Sequence, residues 1–168
     1  AQRDAAGEWQ KLTYAQVRQR VIAIATWLSG QHLSAERPVM ILSDNSIEHA
    51  LLMLAAMHIG VPSATVSQGY SLMSQDHAKL KVNVELLKPG VIYADPVERF
   101  IPALTNIAAL HDAVVVAGGN SDSSSLPSGA VPFADIETHS DEATVMAAFA
   151  SVTPDTIAKF LFTSGSTG

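Results

Sequence analysis

Apolar and polar positions along this chain alternate between two periods, and the points where the period changes outline a repeating architecture. Trp9 to Leu12 is a short alternating segment, and Thr13 follows with Gln16 at the spacing of a capping box, in which Thr13 satisfies an orphan amide and Gln16 reaches back. Tyr14, Val17, Val21, Ile24, Ala25 and Leu28 then recur at helical spacing, with Gln16, Arg18, Gln19 and Arg20 mostly opposite, until Gly30. That pattern predicts an amphipathic helix packed on a core. Val39 to Leu42 is a short apolar run, predicted as a strand buried on both faces. It leads through Asp44, Asn45 and Ser46 into Ile47 to Ile59, apolar nearly all round and closed by Gly60, a predicted buried helix.

The same alternation continues. Val61 to Val66 is a predicted strand, a polar helix is expected over roughly Ser74 to Leu87, and Val91 to Ala94 is the next strand. Asp95-Pro96 reads as N-cap plus first-turn proline of a helix, and Val114 to Ala117 as a further strand. Residues 118–129 (GGNSDSSSLPSG) carry one large apolar residue, Leu126, and are expected to form an exposed flexible loop inside the domain. A helix near Asp141 to Phe149 and a buried strand from Ile157 to Phe162 close the series. Strand and helix in turn, joined by short loops, predict the α/β class: a layered, mainly parallel sheet flanked by helices on both faces. In such sheets ligands sit beyond the carboxyl ends of the strands.

Composition narrows the partners. The 168 residues carry ten Lys plus Arg against sixteen Asp plus Glu, a formal charge of -6, with no basic run to follow a phosphate backbone, so nucleic acid is not an expected partner. His58 and Gly60 interrupt the longest apolar stretches, and no charged-then-apolar leader opens the chain, so neither a membrane span nor a secretory signal is expected. Cysteine is absent, which excludes disulfides and thiolate chemistry and fits a cytoplasmic location. Ala1 at the start and a Ser/Thr/Gly run at the end lead us to expect that both termini are cuts in a longer chain.

The chemistry concentrates at the carboxyl end. Ile157 to Phe162 runs directly into Thr163-Ser164-Gly165-Ser166-Thr167-Gly168, an apolar strand feeding a loop of hydroxyls and glycines. Gly165 and Gly168 let backbone amides approach an anion with no Cβ in the way, and Thr163, Ser164, Ser166 and Thr167 add donors that can follow phosphate oxygens. A Walker loop is excluded, because its glycines enclose four residues and a Lys follows. A plain solvent-exposed turn is the competing reading, and the strand in front of the loop disfavours it.

Phe160 to Gly168 (FLFTSGSTG) resembles the phosphate-loop signature of the adenylate-forming superfamily, which includes acyl- and aryl-CoA synthetases, luciferases and peptide-synthetase adenylation domains. Glu48 to Pro62 resembles the helix-strand entry of that superfamily's N-terminal domain, and Tyr70 to Lys81 (YSLMSQDHAKLK) is similar to its feruloyl-CoA synthetase branch. The resemblance implies a partial N-terminal domain over residues 1–168, with the C-terminal domain absent. It implies two half-reactions: a carboxylate attacks Mg-ATP to give an acyl-adenylate and pyrophosphate, and coenzyme A then displaces AMP. The acid would be a hydroxycinnamate such as ferulate, which would place the enzyme in phenylpropanoid degradation. By the same resemblance Thr163, Ser164, Gly165, Ser166, Thr167 and Gly168 would cradle the ATP phosphates, with Mg2+ and the catalytic lysine held by segments outside this chain. The isolated fragment is then expected to be inactive. A free carboxylate at Gly168 would add repulsion, ~1 kcal/mol between unit charges at about 4 Å in water and ~4 kcal/mol at an effective dielectric near 20. Apolar surface left uncovered by truncation would favour a homo-oligomer. Two rival readings stay open: an adenylating enzyme for a fatty acid or amino acid, and a non-catalytic association module on the same fold.

The other polar residues have structural explanations. His49, His58 and His77 fall in predicted helices without zinc-site spacing and are expected to be structural. Asp44, Asn45 and Ser46 are expected to cap the helix after them. Gly118-Gly119-Asn120 lacks the Gly-x-Gly-x-x-Gly pattern of a dinucleotide loop. Asp76, Lys79 and Lys81 read as a solvated helix face, and Met53 and Met57 as core.

Overall fold

The computed structural model describes residues 2–3, 6–119 and 126–163. Two short strands, β1 (Gln2–Arg3) and β2 (Trp9–Gln10), pair antiparallel as a hairpin ahead of the main body. Then come α1 (Tyr14–Ser29), β3 (Val39–Ser43), α2 (Ile47–His58), β4 (Ser63–Thr65), the short α3 (Gly69–Leu72) and α4 (Ala78–Leu87). They are followed by β5 (Val91–Asp95), α5 (Val97–Ile107), β6 (Val114–Ala117), β7 (Val131–Pro132), α6 (Glu142–Phe149) and β8 (Lys159–Phe160). Among the described residues the main sheet has six strands in the order β7-β6-β5-β3-β4-β8, and every pairing in it is parallel. The α/β expectation of a parallel sheet flanked by helices therefore holds.

Side-chain alternation builds a core on each face of the sheet. Val39 and Ile41 of β3, with Val91 and Tyr93 of β5, face α1, α2, α6 and a 3₁₀ turn at Phe133–Glu137. Met40, Leu42, Ile92 and Ala94 face α4 and α5. Because both faces are covered, all five residues of β3 are buried, and each large aliphatic there contributes about 1.5–3 kcal/mol by leaving water. The capping box forms as expected: the Gln16 amide donates to Thr13 Oγ1 at 3.2 Å, and Thr13 N–H donates to the Gln16 side chain at 2.8 Å. Ser46 caps α2, its Oγ accepting from the His49 amide at 3.0 Å, and Asp141 caps α6, accepting from the Thr144 amide at 3.1 Å.

Four expectations need correction. The strand read over Ile157 to Phe162 is two residues long and is not buried. It is the sheet's edge, paired on one side only, so Leu161 stays 79 % exposed and Ile157 46 %. The helix expected from Ser74 begins at Ala78, because His77 adopts a left-handed backbone (φ 53°) that interrupts it. Asp95 is not an N-cap: it ends β5, and Pro96, in extended conformation after a cis peptide bond, takes the cap position. Tyr14 belongs to the apolar stripe of α1 by spacing but is 95 % exposed, since the first turn of the helix runs past the core. Of the expected loop at 118–129, residues 120–125 lie outside the described residues, and Leu126 packs against the α4/α5 face.

Candidate functional site

The order of the strands fixes where a ligand can reach the sheet. From β3 the chain crosses to β4 on one side, then returns to place β5 on the other, so the direction of winding reverses between β3 and β5. Crevices at such switch points open beyond the carboxyl ends of the strands. Here a cleft of about 460 Å³ lies at that point, lined by Gln2, Arg3, Arg20, Ser46, Glu48, Asp95 and Gly119 among others. The hairpin closes one wall, with Gln2 Oε1 accepting from the Ile47 amide at 2.8 Å. Arg20 closes another through a bidentate pair with Glu137 at 2.6 and 2.9 Å.

Its floor is a linked set of polar groups drawn from three elements. Tyr93 Oη donates to Glu48 Oε2 at 2.9 Å, and the Gly119 amide donates to the same carboxyl. The Ser46 hydroxyl donates to Asp95, which also lies beside the Tyr93 hydroxyl, whose single proton goes to Glu48. Burial pushes the Glu48 carboxyl above its usual range, and the Tyr93 bond opposes that only in part. Burial raises Asp95 as well, and drives the Tyr93 hydroxyl far up, reinforced by the Glu48 charge. Gly118 makes this packing possible: a Cβ there would lie 2.5 Å from Tyr93 Oη and 2.7 Å from Asp95 Cβ. These groups satisfy one another, and they bring carboxylates, not cations, to the middle of the rim.

The β4–β8 side of the rim has different chemistry. Ala64 pairs with Phe160 in parallel register, so β8 carries its chain to the same end as β4 and leaves it there at Thr163. Thr65, Ser67 and Thr163 are exposed hydroxyl-bearing residues at this end. His49, 8 % exposed, ties it together: its Nδ1 lies 3.0 Å from Ser43 Oγ and 3.1 Å from the Asp44 carbonyl, and its Nε2 lies 3.4 Å from Thr65 Oγ1. Exposed hydroxyls can donate to an anion here, whereas the switch-point cleft sets Glu48 and Asp95 beside Arg3 and Arg20. Of the six residues expected to cradle phosphate, Thr163 is placed at this rim, and Ser164, Gly165, Ser166, Thr167 and Gly168 lie outside the described residues. No group of three or more His, Asp or Glu among the described residues is arranged to hold a metal ion.

Sequence reading missed Glu48, Tyr93 and Asp95 as a unit. Tyr93 scans as one more buried strand residue and Asp95 as a helix cap. The available signal was a Tyr-x-Asp at the carboxyl end of a strand followed by proline, which becomes informative only when the switch point is known. The histidines behave as expected: His49 and His77 are buried and bonded, and His58 stacks on Phe149 at 4.6 Å.

Comparison with known proteins bears on the whole chain. The family model described as AMP-binding enzyme matches residues 1–168. No curated protein sequence matches the chain significantly. Among solved structures, ATP-bound MatB from Rhodopseudomonas palustris superposes with a TM-score of 0.65 at 24% identity, over 98% of this chain and 29% of that one. The luciferase-like enzyme of the nonluminescent Zophobas morio mealworm gives 0.67 at 17% identity, over 95% of this chain and 35% of its own. An acyl-CoA synthetase from Brucella canis gives 0.70 at 13%, over 98% and 28%. At these identities the likeness is one of fold. The chain spans about a third of the length of these structures.

Proposed function

The chain belongs to the AMP-binding enzyme family, and from that premise we propose that residues 1–168 are part of the N-terminal domain of an ATP-dependent ligase that activates a carboxylic acid as its adenylate and passes it to coenzyme A. One observation carries the reading. Six parallel strands turn their carboxyl ends the same way, and β8 delivers Thr163 to the hydroxyl-bearing side of that rim, away from the carboxylates at the switch point. In this reading residues 163–168 bind the β- and γ-phosphates, and Mg2+ arrives with the nucleotide. Thr65, at the end of β4, and Ser67, just past it, border the same anion.

A hydroxycinnamate such as ferulate is the acid we assign, on the strength of the segment Tyr70 to Lys81. That segment follows β4 at the rim, where Lys79 covers the Tyr70 ring at 5.3 Å and Met73 is 86 % exposed. The rest of the acid pocket belongs to the remaining two thirds of the fold, so the isolated chain is inactive in this reading and binds ATP weakly. Ile157, Leu161, Phe149 and Met146, all exposed apolar residues, favour self-association of the isolated chain, and light scattering showing a clean monomer at high concentration would count against it.

The decisive experiment is ATP–pyrophosphate exchange by the full-length polypeptide against a panel of acids. Exchange with ferulate-like acids supports the assignment. Exchange confined to fatty or amino acids keeps the ligase and replaces its substrate, and no exchange with any acid favours an association module instead. No helix among the described residues is long and apolar enough to cross a membrane.

A further inference from the structure

We propose that the switch-point cleft is a second binding site, separate from the phosphate rim, for a small aminocarboxylic acid in its zwitterionic form. Glu48 and Asp95 take its ammonium group, and Arg3 and Arg20 take its carboxylate. The inference does not rest on the ligase reading. The cleft's volume of about 460 Å³ is in the range of small-molecule sites, and it opens where the winding reverses between β3 and β5. In the order β5-β3-β4-β8, the strand that carries Tyr93 and Asp95 stands three strand spacings from the edge that carries Thr163, roughly 14 Å. Every residue of the proposed site is among the described ones.

The floor of the cleft has more acceptors than donors. Each ionised carboxylate offers about four lone-pair sites. Among the described residues Glu48 receives the Tyr93 hydroxyl proton at 2.9 Å and the Gly119 amide, and Asp95 receives the Ser46 hydroxyl. Tyr93 has no second proton to give, so acceptor capacity is left over on both carboxylates. Burial outweighs the neighbours that stabilise the charge on either group, and the Asp95 charge works against that of Glu48. An ammonium group answers both conditions at once, because it brings N–H donors together with the positive charge that the floor lacks.

The walls have the opposite sign. Arg20 on α1 gives Nε and Nη2 to Glu137 at 2.6 and 2.9 Å, which holds its guanidinium in place and leaves the Nη1 hydrogens over among the described residues. Arg3 on β1 lies 4.6 Å over the Trp9 ring and donates to the Gly7 carbonyl at 2.9 Å. Both guanidiniums are therefore positioned before a guest arrives, which lowers the ordering cost of binding it. Leu12 and Ile47 complete the lining with apolar surface for methylene groups. Charge then selects the class of ligand. Glu48 and Asp95 cancel against Arg3 and Arg20, while Glu137, Asp44 and Glu98 keep the surroundings negative. A net anion such as a phosphate ester would meet carboxylates at the floor, and a bare amine would bring nothing to the guanidiniums. A zwitterion matches both ends.

Calorimetry on the full-length polypeptide at neutral pH tests this. Glycine, 4-aminobutyrate and 6-aminohexanoate carry both charges at increasing span, whereas butylamine and butyrate carry one each. The best of the zwitterions should bind about tenfold or more tightly than either single-charged probe, since each end adds hydrogen bonds to a charged group. Butylamine or butyrate binding as tightly as the best zwitterion overturns the inference, and so does a lack of binding by all of the zwitterions. Two variants locate the site. Arg3→Gln and Glu48→Gln should each weaken the best zwitterion by about tenfold, and Arg3→Gln should leave butylamine unaffected. Arg3 is exposed on the hairpin, so its replacement leaves the core untouched and its result does not depend on how well Glu48→Gln folds. Unchanged affinity in Arg3→Gln, or in a folded Glu48→Gln, puts the zwitterion elsewhere and overturns the inference. Absence of pyrophosphate exchange with every acid would count against the ligase reading alone and leave this site standing.

Discussion

The centre of the sheet and its β8 edge carry polar chemistry at the same rim, yet they are built in opposite ways. At the centre, Glu48 stands on α2 and Tyr93 and Asp95 on β5, where Val91 to Ala94 are fully buried, and Tyr93 donates to Glu48. At the edge, β8 is two residues long, held to one neighbour, with Leu161 and Ile157 exposed on either side of it. The centre has its geometry enforced by packing. The edge is positioned by register with β4 alone, so its few residues are less constrained than those of the centre.

The largest effect that tests this contrast is truncation at the centre. Ile41 is fully buried between β4 and β5, and Ile41→Ala should lower stability by about 2–5 kcal/mol, read as a fall in the urea midpoint with unchanged slope. A cost under about 1 kcal/mol would mean that the centre relaxes as freely as the edge. Next comes Gly118→Ala. Its new methyl would press on Tyr93 Oη and Asp95 Cβ, an overpacking worth about 1–3 kcal/mol. Combining it with Tyr93→Phe removes the nearest clashing atom, so the double variant should be less destabilised than the sum of the two. Simple additivity would show that Gly118 does not press on Tyr93.

The same contrast explains what could be read from the residues and what could not. The longer helices, the central strands and their order of appearance follow from periodicity and caps: Thr13 with Gln16, Ser46, and the apolar run at β3. Those signals are local. The Glu48–Tyr93–Asp95 set is not local; it depends on β3 and β5 becoming neighbours after β4 has gone the other way, which no spacing announces. Conversely, the hydroxyl-glycine run from Thr163 onward is legible chemistry, but apolar composition cannot tell a central strand from an edge one, so it does not reveal that the strand ahead of the run is exposed. The break at His77 is hidden for a similar reason: its left-handed backbone and the bonds of its ring to the Ser71 carbonyl and Asn106 leave no mark on the helical pattern that follows.

Proton linkage sharpens the comparison further, with an effect smaller than that of Gly118→Ala. Glu48 and Asp95 hold their protons more tightly folded than unfolded, so the native state binds more protons than the unfolded chain. Their contribution to stability is complete below the ordinary carboxyl values of 4.5 and 3.8 and is lost as pH rises through the raised folded values. Asp112, beside Arg37, and Asp141, at the cap of α6, are shifted the other way and lose their stabilising contribution in acid, so the wild-type profile alone mixes the two signs. Glu48→Gln isolates one of them. Relative to wild type, its stability should improve as pH is raised from the acid side of that range to neutrality, in denaturant titrations at matched ionic strength. A pH-independent difference would show that Glu48 is no more buried in effect than the edge residues.

The smallest effect lies at the edge, and it is the most informative about it. Leu161 is large and apolar, which in the centre of the sheet would make its loss expensive; at 79 % exposure it has little burial to forfeit. Leu161→Ser should therefore change the stability of this chain by no more than about 0.5 kcal/mol, the range of ordinary surface substitutions. The same substitution in the full-length polypeptide asks a different question. If the remaining fold lies over β8, the side chain is covered there and its removal costs about 2 kcal/mol or more, as for a core position. If the cost stays near zero in both, the edge is open in the longer polypeptide too, and β8 has only its pairing with Ser63 and Ala64 of β4 to hold it in register.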